Sequence, residues 1–219
     1  QCREYRIGLI PRHEIRRRIL TVLQVQALTP HMLRISLTGE DLDGFTSLSP
    51  DDHIKLFVPV GPLGAEPEMR DYTPRSYDAA TRSLTIDFAV HEAGPATAWA
   101  RSVQPGDWVQ VAGPRGSQVV TGPVPHWLLI GAETALPAIG RRTEEAKPGS
   151  RITSLVAVPS PQDEQRFFTD AELTTLWVHR PIADADDPAP LLDALRAQPV
   201  AEGTFVWIAA EAQVARALR

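Results

Sequence analysis

The sequence predicts two domains, an antiparallel β-barrel of the six-stranded type followed by an α/β domain with a parallel sheet. In residues 19–122, short runs of alternating apolar and polar residues are separated by turn formers, as in an antiparallel barrel. From residue 126 onwards, continuous apolar runs alternate with helix-like segments. A stretch rich in Pro and Gly lies between the two patterns, so we expect domains over residues 1–122 and 123–219.

The strands of the first domain are predicted from the period of two. Residues 33–38, 54–58 and 84–91 alternate apolar and polar side chains, which is typical of half-buried strands. In the last of these, the apolar residues share one face, so that Asp87 and His91 project together from the other. The many Gly and Pro residues between the runs exclude long helices here.

The second domain is predicted from longer apolar runs. Strands are expected at residues 126–130, 152–158, 176–179 and 205–209, and helices at residues 134–145, 190–197 and 211–219. Apolar runs of this kind are typical of parallel strands that are buried on both faces. No G-x-G-x-x-G motif is present, so this domain carries no independent dinucleotide-binding signature.

Composition excludes several classes of protein. The 219 residues have a net charge of −5, which argues against a general nucleic-acid binder. The single cysteine, Cys2, cannot form an internal disulfide, and the six histidines are scattered without ligand spacing, so no metal site is expected. No apolar run approaches the ~20 residues that span a bilayer. We expect a cytoplasmic monomer, and because the chain begins at Gln1, an upstream segment is expected.

Residues 70–77, which read R-D-Y-T-P-R-S-Y, suit a flavin. On a strand, Arg70 and Tyr72 share a face, where a guanidinium can hold a pyrophosphate while a phenol ring lies against an isoalloxazine. Pro74 keeps Thr73 extended. The Thr73 side chain would point to the opposite face, so its contact with the flavin edge requires the backbone N–H or a local twist. The alternative interpretation is an edge strand with ordinary surface polar residues.

Further ordered motifs extend over residues 16–219. They are D-F-A-V-H-E-A-G-P-A-T-A-W-A (87–100), Q-P-G-D (104–107), G-P-R-G-S (113–117), L-L-I-G-A-E-T-A-L-P-A-I (128–139), W-V-H-R (177–180) and V-W-I-A-A-E (206–211). With R-x-Y-T, this set resembles the siderophore-interacting protein family of FAD-dependent ferric-siderophore reductases, within the ferredoxin-reductase-like flavoproteins. Relative to that family, the chain is expected to lack a C-terminal segment.

The resemblance implies roles for residues of the first domain. Arg70 would hold the FAD pyrophosphate, Tyr72 would pack on the flavin, and Thr73 would hydrogen-bond near its N5 edge. Asp87 and His91 would line the ribose or adenine side. Residues Gly94, Ala96 and Thr97 would form a turn that opens a helix, where free N–H groups suit a phosphate. Taken without the other motifs, Asp87 and His91 could be a surface pair, and Gly94 part of a simple turn.

The resemblance also implies a nucleotide site in the second domain. Glu133, Thr134 and Ala135 would open a helix beside the crevice of the sheet, with Thr134 counted among the cofactor contacts and Glu133, Ala135 and Glu211 on the nicotinamide side. In the family pattern an acidic residue usually stands at Ala132 and a glycine at Ala210. These two departures put standard NAD(P)H binding in doubt.

The function implied is release of iron by reduction of Fe(III) in a ferric siderophore, with FAD as cofactor and NAD(P)H or ferredoxin as donor. No acid–base residue is then required. Lys55, Arg75 and Arg115 are candidates for a basic substrate pocket, or are solvated surface cations. Two alternatives stay open: a flavin reductase or electron-transfer flavoprotein for another acceptor, and a non-catalytic siderophore-binding protein.

Overall fold

The computed structural model of the chain describes residues 6–9, 15–60, 66–90 and 94–219. It divides into two compact units, one of residues 7–120 and one that includes residues 121–219. His91 lies outside the described residues. No helix in the described ranges is long and apolar enough to cross a membrane.

In its described residues, the first unit contains nine strands and one α-helix. In chain order these are β1 (Arg6–Leu9), β2 (Arg17–Thr29), β3 (Met32–Thr38), β4 (Ile54–Val58), β5 (Glu68–Tyr72), β6 (Pro74–Asp78), β7 (Ser83–Ala89), α1 (Pro95–Ser102), β8 (Trp108–Ala112) and β9 (Gln118–Thr121). Strands β1 and β9 form a small separate pair, and the other seven form one antiparallel sheet in the order β5-β4-β8-β2-β3-β7-β6.

The large sheet curls because its two edges are consecutive in the chain. Strands β5 and β6 lie at opposite ends of the sheet order, yet Thr73 alone separates them. The edges must therefore approach each other at this residue. Counted as one bent strand, β5 and β6 reduce the sheet to the six strands predicted from sequence, so the first half of the predicted fold class is confirmed as a curled antiparallel sheet.

The interior of this sheet is filled by the apolar residues that alternation predicts. Leu84, Ile86 and Phe88 of β7 are buried, together with Leu56 of β4. Helix α1 contacts β3, β4, β5 and β7. Because each strand contributes alternate residues to one core, the polar residues of β3 and β7 face the other way, where they can contact each other.

The second unit is a parallel sheet with helices. Its elements are β10 (His126–Ala132), α2 (Leu136–Glu144), β11 (Arg151–Val158), β12 (Glu172–His179), α3 (Ala189–Arg196), β13 (Thr204–Ala209) and α4 (Ala212–Ala217). The strand order is β12-β11-β10-β13, and every pairing is parallel. Helix α2 packs on β10 and β11, and α3 on β11 and β12. The second half of the predicted fold class is confirmed.

Two boundaries differ from the prediction. The helix predicted from residue 134 is preceded by a 3-10 turn, Glu133–Ala135, and α2 begins at Leu136. Strand β12 begins at Glu172 rather than at residue 176, because Glu172 and Thr174 pair with β11 although they are polar. Since β12 is an edge strand, polar residues at its start stay partly solvated, and an apolar run underestimates its length.

Candidate functional site

The bend between β5 and β6 interrupts the strand that R-D-Y-T-P-R-S-Y predicts. Strand β5 ends at Tyr72, Thr73 is half-buried, and β6 begins at Pro74. Pro74 pairs with Ile86 of β7, but the register shifts before Ser76, which makes Arg75 the extra residue of a β-bulge. The chain therefore bends at Thr73, and a local change of direction is what the Thr73 side chain would need to contact a ligand on the Tyr72 side.

Arg70 and Tyr72 lie on β5, immediately before the bend. The Arg70 side chain is 48% exposed, forms an ion pair with Glu68, and donates a hydrogen bond to the Met69 carbonyl at 3.0 Å. The Tyr72 ring lies 4.4 Å from the ring of Phe88, with an angle of 42° between the planes. Burial raises the pKa of Tyr72 to about 12, partly opposed by Arg70. The phenol is therefore a neutral, supported ring beside an accessible guanidinium.

The aromatic support behind Tyr72 continues through the core. Phe88 is fully buried, and its ring centroid lies 5.6 Å from that of Trp99 in α1. The rings of Tyr72, Phe88 and Trp99 therefore connect the bend to α1. Aromatic side chains packed in this way restrict the orientation of the outermost ring, here Tyr72.

Asp87 is not a solvent-facing carboxylate. It is buried on β7, directly opposite Arg34 of β3, and accepts two hydrogen bonds from Arg34, from Nε at 2.7 Å and from Nη2 at 2.8 Å. Arg75 Nε lies 3.6 Å from the same carboxylate. Arg34 was missed by sequence reasoning, although its alternation with the apolar residues of 33–38 places it on the polar face that Asp87 occupies on β7.

The start of α1 is open for an anion. Gly94 precedes the helix with φ 130°, and a Cβ at this position would meet no atom within 4 Å. Pro95 occupies the first turn, no side chain of the described residues caps it, and the first helical hydrogen bond runs from Ala98 to Gly94. The N–H groups of Ala96 and Thr97 therefore lack helical acceptors, which is the arrangement that binds phosphate. Thus the residues present fit a pyrophosphate.

The three candidate substrate cations have different environments. Lys55 Nζ lies 2.7 Å from Asp71, and both side chains are half-exposed. Arg115 is exposed, three residues after Ala112, which is the partner of Lys55 in β8. Arg75 is only 6% exposed, so the expectation of a solvated surface cation is wrong for this residue.

In the second unit, the predicted nucleotide-side residues follow the carboxyl ends of β10 and β13. Gly131 allows a close approach there, because a Cβ would lie 2.5 Å from the Ala135 Cβ and 2.8 Å from the Ala209 carbonyl oxygen. Ala135 is buried, whereas Thr134 is exposed. A side chain at position 131 would separate the turn before α2 from β13, so glycine is required by packing at this crevice.

Two acidic residues at the carboxyl ends of β10 and β13 form different hydrogen bonds. Glu133 is buried and accepts a hydrogen bond from Arg180 Nη2 at 3.1 Å. Arg180 follows β12 and is also buried, and sequence reasoning missed it as a partner because it is 47 residues away. Glu211 precedes α4, where its carboxylate accepts a hydrogen bond from the Gln213 N–H at 2.6 Å. Among the described residues, no group of three or more His, Cys, Asp or Glu side chains could hold a metal.

Comparison with known families covers both units. The siderophore-interacting FAD-binding domain matches residues 21–63 and 60–118, and the siderophore-interacting protein family matches residues 124–219. The chain is 36% identical over 228 residues to the NADPH-dependent ferric-chelate reductase of Escherichia coli (strain K12), covering 94% of this chain and 87% of the relative. It is 28% identical over 204 residues to the ferric vibriobactin reductase ViuB of Vibrio cholerae, covering 85% and 74%.

Solved structures give the same result. A siderophore utilization protein from T. fusca superposes with a TM-score of 0.85 at 34% identity, covering 98% of this chain and 88% of the other. The siderophore-interacting protein SipS from Aeromonas hydrophila gives 0.76 at 30% identity, covering 89% and 79%. Ferredoxin-NADP+ reductase from Plasmodium falciparum, at 9% identity, with a TM-score of 0.67 and coverage of 90% and 86%, shares the fold. These matches confirm the resemblance that the sequence motifs predict.

Proposed function

Because the chain belongs to the siderophore-interacting protein family, we propose that it is an FAD-dependent reductase that releases iron from ferric siderophores by reducing Fe(III) to Fe(II). The observation that carries this proposal is the Tyr72 ring, held on Phe88 at the bend where Thr73 joins β5 to β6. A supported aromatic face beside an exposed guanidinium and an open helix start suits a flavin dinucleotide.

Each candidate site residue of the first unit would have its own part in holding FAD. The Arg70 guanidinium would bind the pyrophosphate and exchange its contact with Glu68 for a more negative partner. The N–H groups at the start of α1 would bind a phosphate, and Tyr72 would pack on the ring system with Thr73 near its N5 edge. Asp87 would act through Arg34 and Arg75, since its carboxylate is enclosed by them. When bound, FAD supplies redox chemistry that side chains lack.

The overall reaction consumes one NADPH for two iron ions. Oxidation of NADPH to NADP+ releases two electrons and a proton, and the two electrons convert two Fe(III) to two Fe(II). Reduction lowers the charge that the hard oxygen ligands of a siderophore bind, so iron is released. The protein need supply no acid or base at the iron. Lys55 and Arg115 are accessible cations that would attract an anionic chelate.

Several finer assignments accompany this proposal. Residues 1–122 would bind FAD and residues 123–219 the pyridine nucleotide. Glu133, Ala135 and Glu211 would lie on the nicotinamide side, with Thr134 among the cofactor contacts, and ferredoxin is a second candidate donor. We also propose that His91 lines the ribose or adenine side of the cofactor. The protein would act as a monomer in the cytoplasm, where NADPH is available.

The test is an anaerobic titration of the purified protein. The visible flavin spectrum is followed on addition of NADPH or NADH, and then of a ferric siderophore with a ferrous-iron trap. Bleaching by nucleotide followed by reoxidation and ferrous trapping is the expected result. Reoxidation by other acceptors but not by the ferric chelate would favour a general flavin reductase, and a protein that binds a siderophore but no FAD would be a binding protein.

Variants connect the test to the site. Arg70→Ala should lose FAD because the pyrophosphate loses its cation. Arg16→Ala is the matched control, since Arg16 is an arginine of the same unit, 54% exposed and paired with Asp41 at 3.2 Å. If Arg70→Ala retained as much FAD as Arg16→Ala, the assignment of the pyrophosphate site would be wrong.

A further inference from the structure

The loop that carries Arg115, residues 113–117, is attached at both ends to the chain just before β4. The Ser117 hydroxyl donates a hydrogen bond to Asp52 Oδ2 at 2.7 Å, and both side chains are buried. At the other end of the loop, Gly113 has φ 101°, and a Cβ there would lie 3.4 Å from a carbonyl oxygen of the segment before β4. The loop is therefore held in place from both sides of Arg115.

Asp52 is a buried carboxylate surrounded by neutral donors. Besides Ser117, three donors from a second loop reach the same oxygen, Oδ2: the Ser47 hydroxyl at 2.9 Å, the Leu48 N–H at 2.9 Å and the Ser49 N–H at 3.1 Å. No cation of the described residues forms an ion pair with Asp52. A buried charge without a countercharge is costly unless it is well hydrogen-bonded, so these contacts fix the position of the carboxylate. Asp52 thereby joins two loops.

The Arg115 side chain has no contact of its own that would orient it. It is exposed, and it forms no hydrogen bond or ion pair with the part of the chain that the structure describes. Lys55, the other accessible cation, is by contrast held by Asp71 at 2.7 Å. The position of the Arg115 guanidinium therefore depends on its backbone, and that backbone depends on the hydrogen bond from Ser117 to Asp52.

We propose that Asp52 positions Arg115 for the ferric chelate by holding Ser117 at the end of the same loop. This inference rests on the proposed reductase function. A cation whose loop is fixed before the chelate arrives loses little conformational freedom on binding, so a fixed loop raises affinity for an anionic chelate. Asp52 itself is buried, so its effect reaches the chelate only through Ser117 and Arg115.

The experiment follows reoxidation of the photoreduced, FAD-loaded protein by the trianionic iron(III) tris(catecholate) complex, which requires no nucleotide. Ser117→Ala removes the hydroxyl that reaches Asp52. It should raise the half-saturating chelate concentration about fivefold, because apparent affinity falls with the fraction of protein whose loop is correctly placed. The limiting rate should stay unchanged, since the flavin is not affected. Asp52→Asn, which offers a neutral and weaker acceptor, should change the half-saturating concentration in the same direction.

Two comparisons separate positioning from a purely structural role. Ser47→Ala is the matched control, because the Ser47 hydroxyl donates to the same oxygen of Asp52 at 2.9 Å from the loop that lacks Arg115. Thermal unfolding should show a similar loss of stability for Ser47→Ala and Ser117→Ala, but Ser47→Ala should leave the half-saturating concentration unchanged. Arg115→Gln should raise that concentration, and adding Ser117→Ala to Arg115→Gln should cause no further rise, since the loop then carries no cation to position.

The outcomes distinguish this inference from the proposed function. Equal half-saturating concentrations for Ser117→Ala and Ser47→Ala would remove the positioning role of Asp52. Wild-type affinity in Arg115→Gln, or a further rise when Ser117→Ala is added to it, would show that the effect does not pass through Arg115 and would also overturn the inference. In each of these cases, reoxidation of the wild-type protein by the chelate leaves the reductase proposal intact. A reduced wild-type protein that transfers no electrons to the ferric chelate would overturn both.

Discussion

Replacement of Asp87 by Asn tests the buried ion-pair cluster of Asp87, Arg34 and Arg75, next to the proposed flavin site. The Asp87 side chain is 1% exposed, and its two hydrogen bonds to Arg34 measure 2.7 and 2.8 Å. Asn preserves the volume but leaves Arg34 and Arg75 without this carboxylate. Breaking one partner of a buried ion pair costs about 3–5 kcal/mol, and because Arg34 is 29% exposed and can be rehydrated, we expect about 3 kcal/mol.

Urea unfolding at a fixed concentration of added FAD provides the measurement, because FAD binding itself stabilises the folded protein. A double-mutant cycle with Arg34→Gln should give a coupling energy of about 2 kcal/mol, within the range for residues in direct contact. The control is Asp71→Asn, which breaks the half-exposed pair with Lys55 and should cost less than about 1 kcal/mol. A cost for Asp87→Asn as small as that of the control would refute the reasoning.

Two further predictions concern pH. Burial raises the pKa of Tyr72 from 10.0 to about 12, so the unfolded chain releases the phenol proton at a lower pH than the folded protein does. The free energy of unfolding should therefore fall as pH rises from 10 towards 12. Tyr72→Phe should reduce this fall, measured as urea midpoints, and ultraviolet titration of the variant should detect one fewer phenol that ionises late. Burial, assisted by the charge of Arg151, lowers the pKa of His126 from 6.5. The contribution of neutral His126 to stability is therefore complete above pH 6.5 and is lost as pH falls below it. His126→Asn should flatten the dependence of the free energy of unfolding on pH in this range, and a His126 pKa at or above 6.5 measured by NMR would contradict the assignment.

The elements were predictable because periodicity is a local property. Alternation in residues 33–38 and 84–89 matches the pleat of β3 and β7, and the continuous run at residues 126–130 matches a strand covered on both faces. The combination of a cation, an aromatic ring and a hydroxyl in residues 70–73 was likewise predictable, since Arg70, Tyr72 and Thr73 are neighbours in the chain. Their functional roles stay predictions.

Partners that lie far apart in the chain were not predictable in the same way. Arg34 meets Asp87 across 53 positions and Arg180 meets Glu133 across 47, and both contacts depend on strand register and order. The strands themselves were predicted, but alternation of apolar and polar residues does not determine which strands are neighbours in the sheet. A carboxylate read as a ligand contact, Asp87, is therefore found between two arginines that the sequence does not bring together.

Arg75 shows how one extra residue changes a functional interpretation. Since side chains alternate along a strand, insertion of one residue moves all later side chains to the other face. The bulge after Pro74 does this within β6, so a face assignment that holds for Arg70 and Tyr72 cannot be extended past Arg75, and Tyr77 packs against the same core as Tyr72. Arg75, the extra residue, is buried beside Asp87. If charge attracts a ferric chelate to this unit, the attraction must come from exposed cations such as Arg115. Replacement of Arg115 should therefore weaken chelate binding without disturbing the fold, whereas replacement of the buried Arg75 should not be selective in this way.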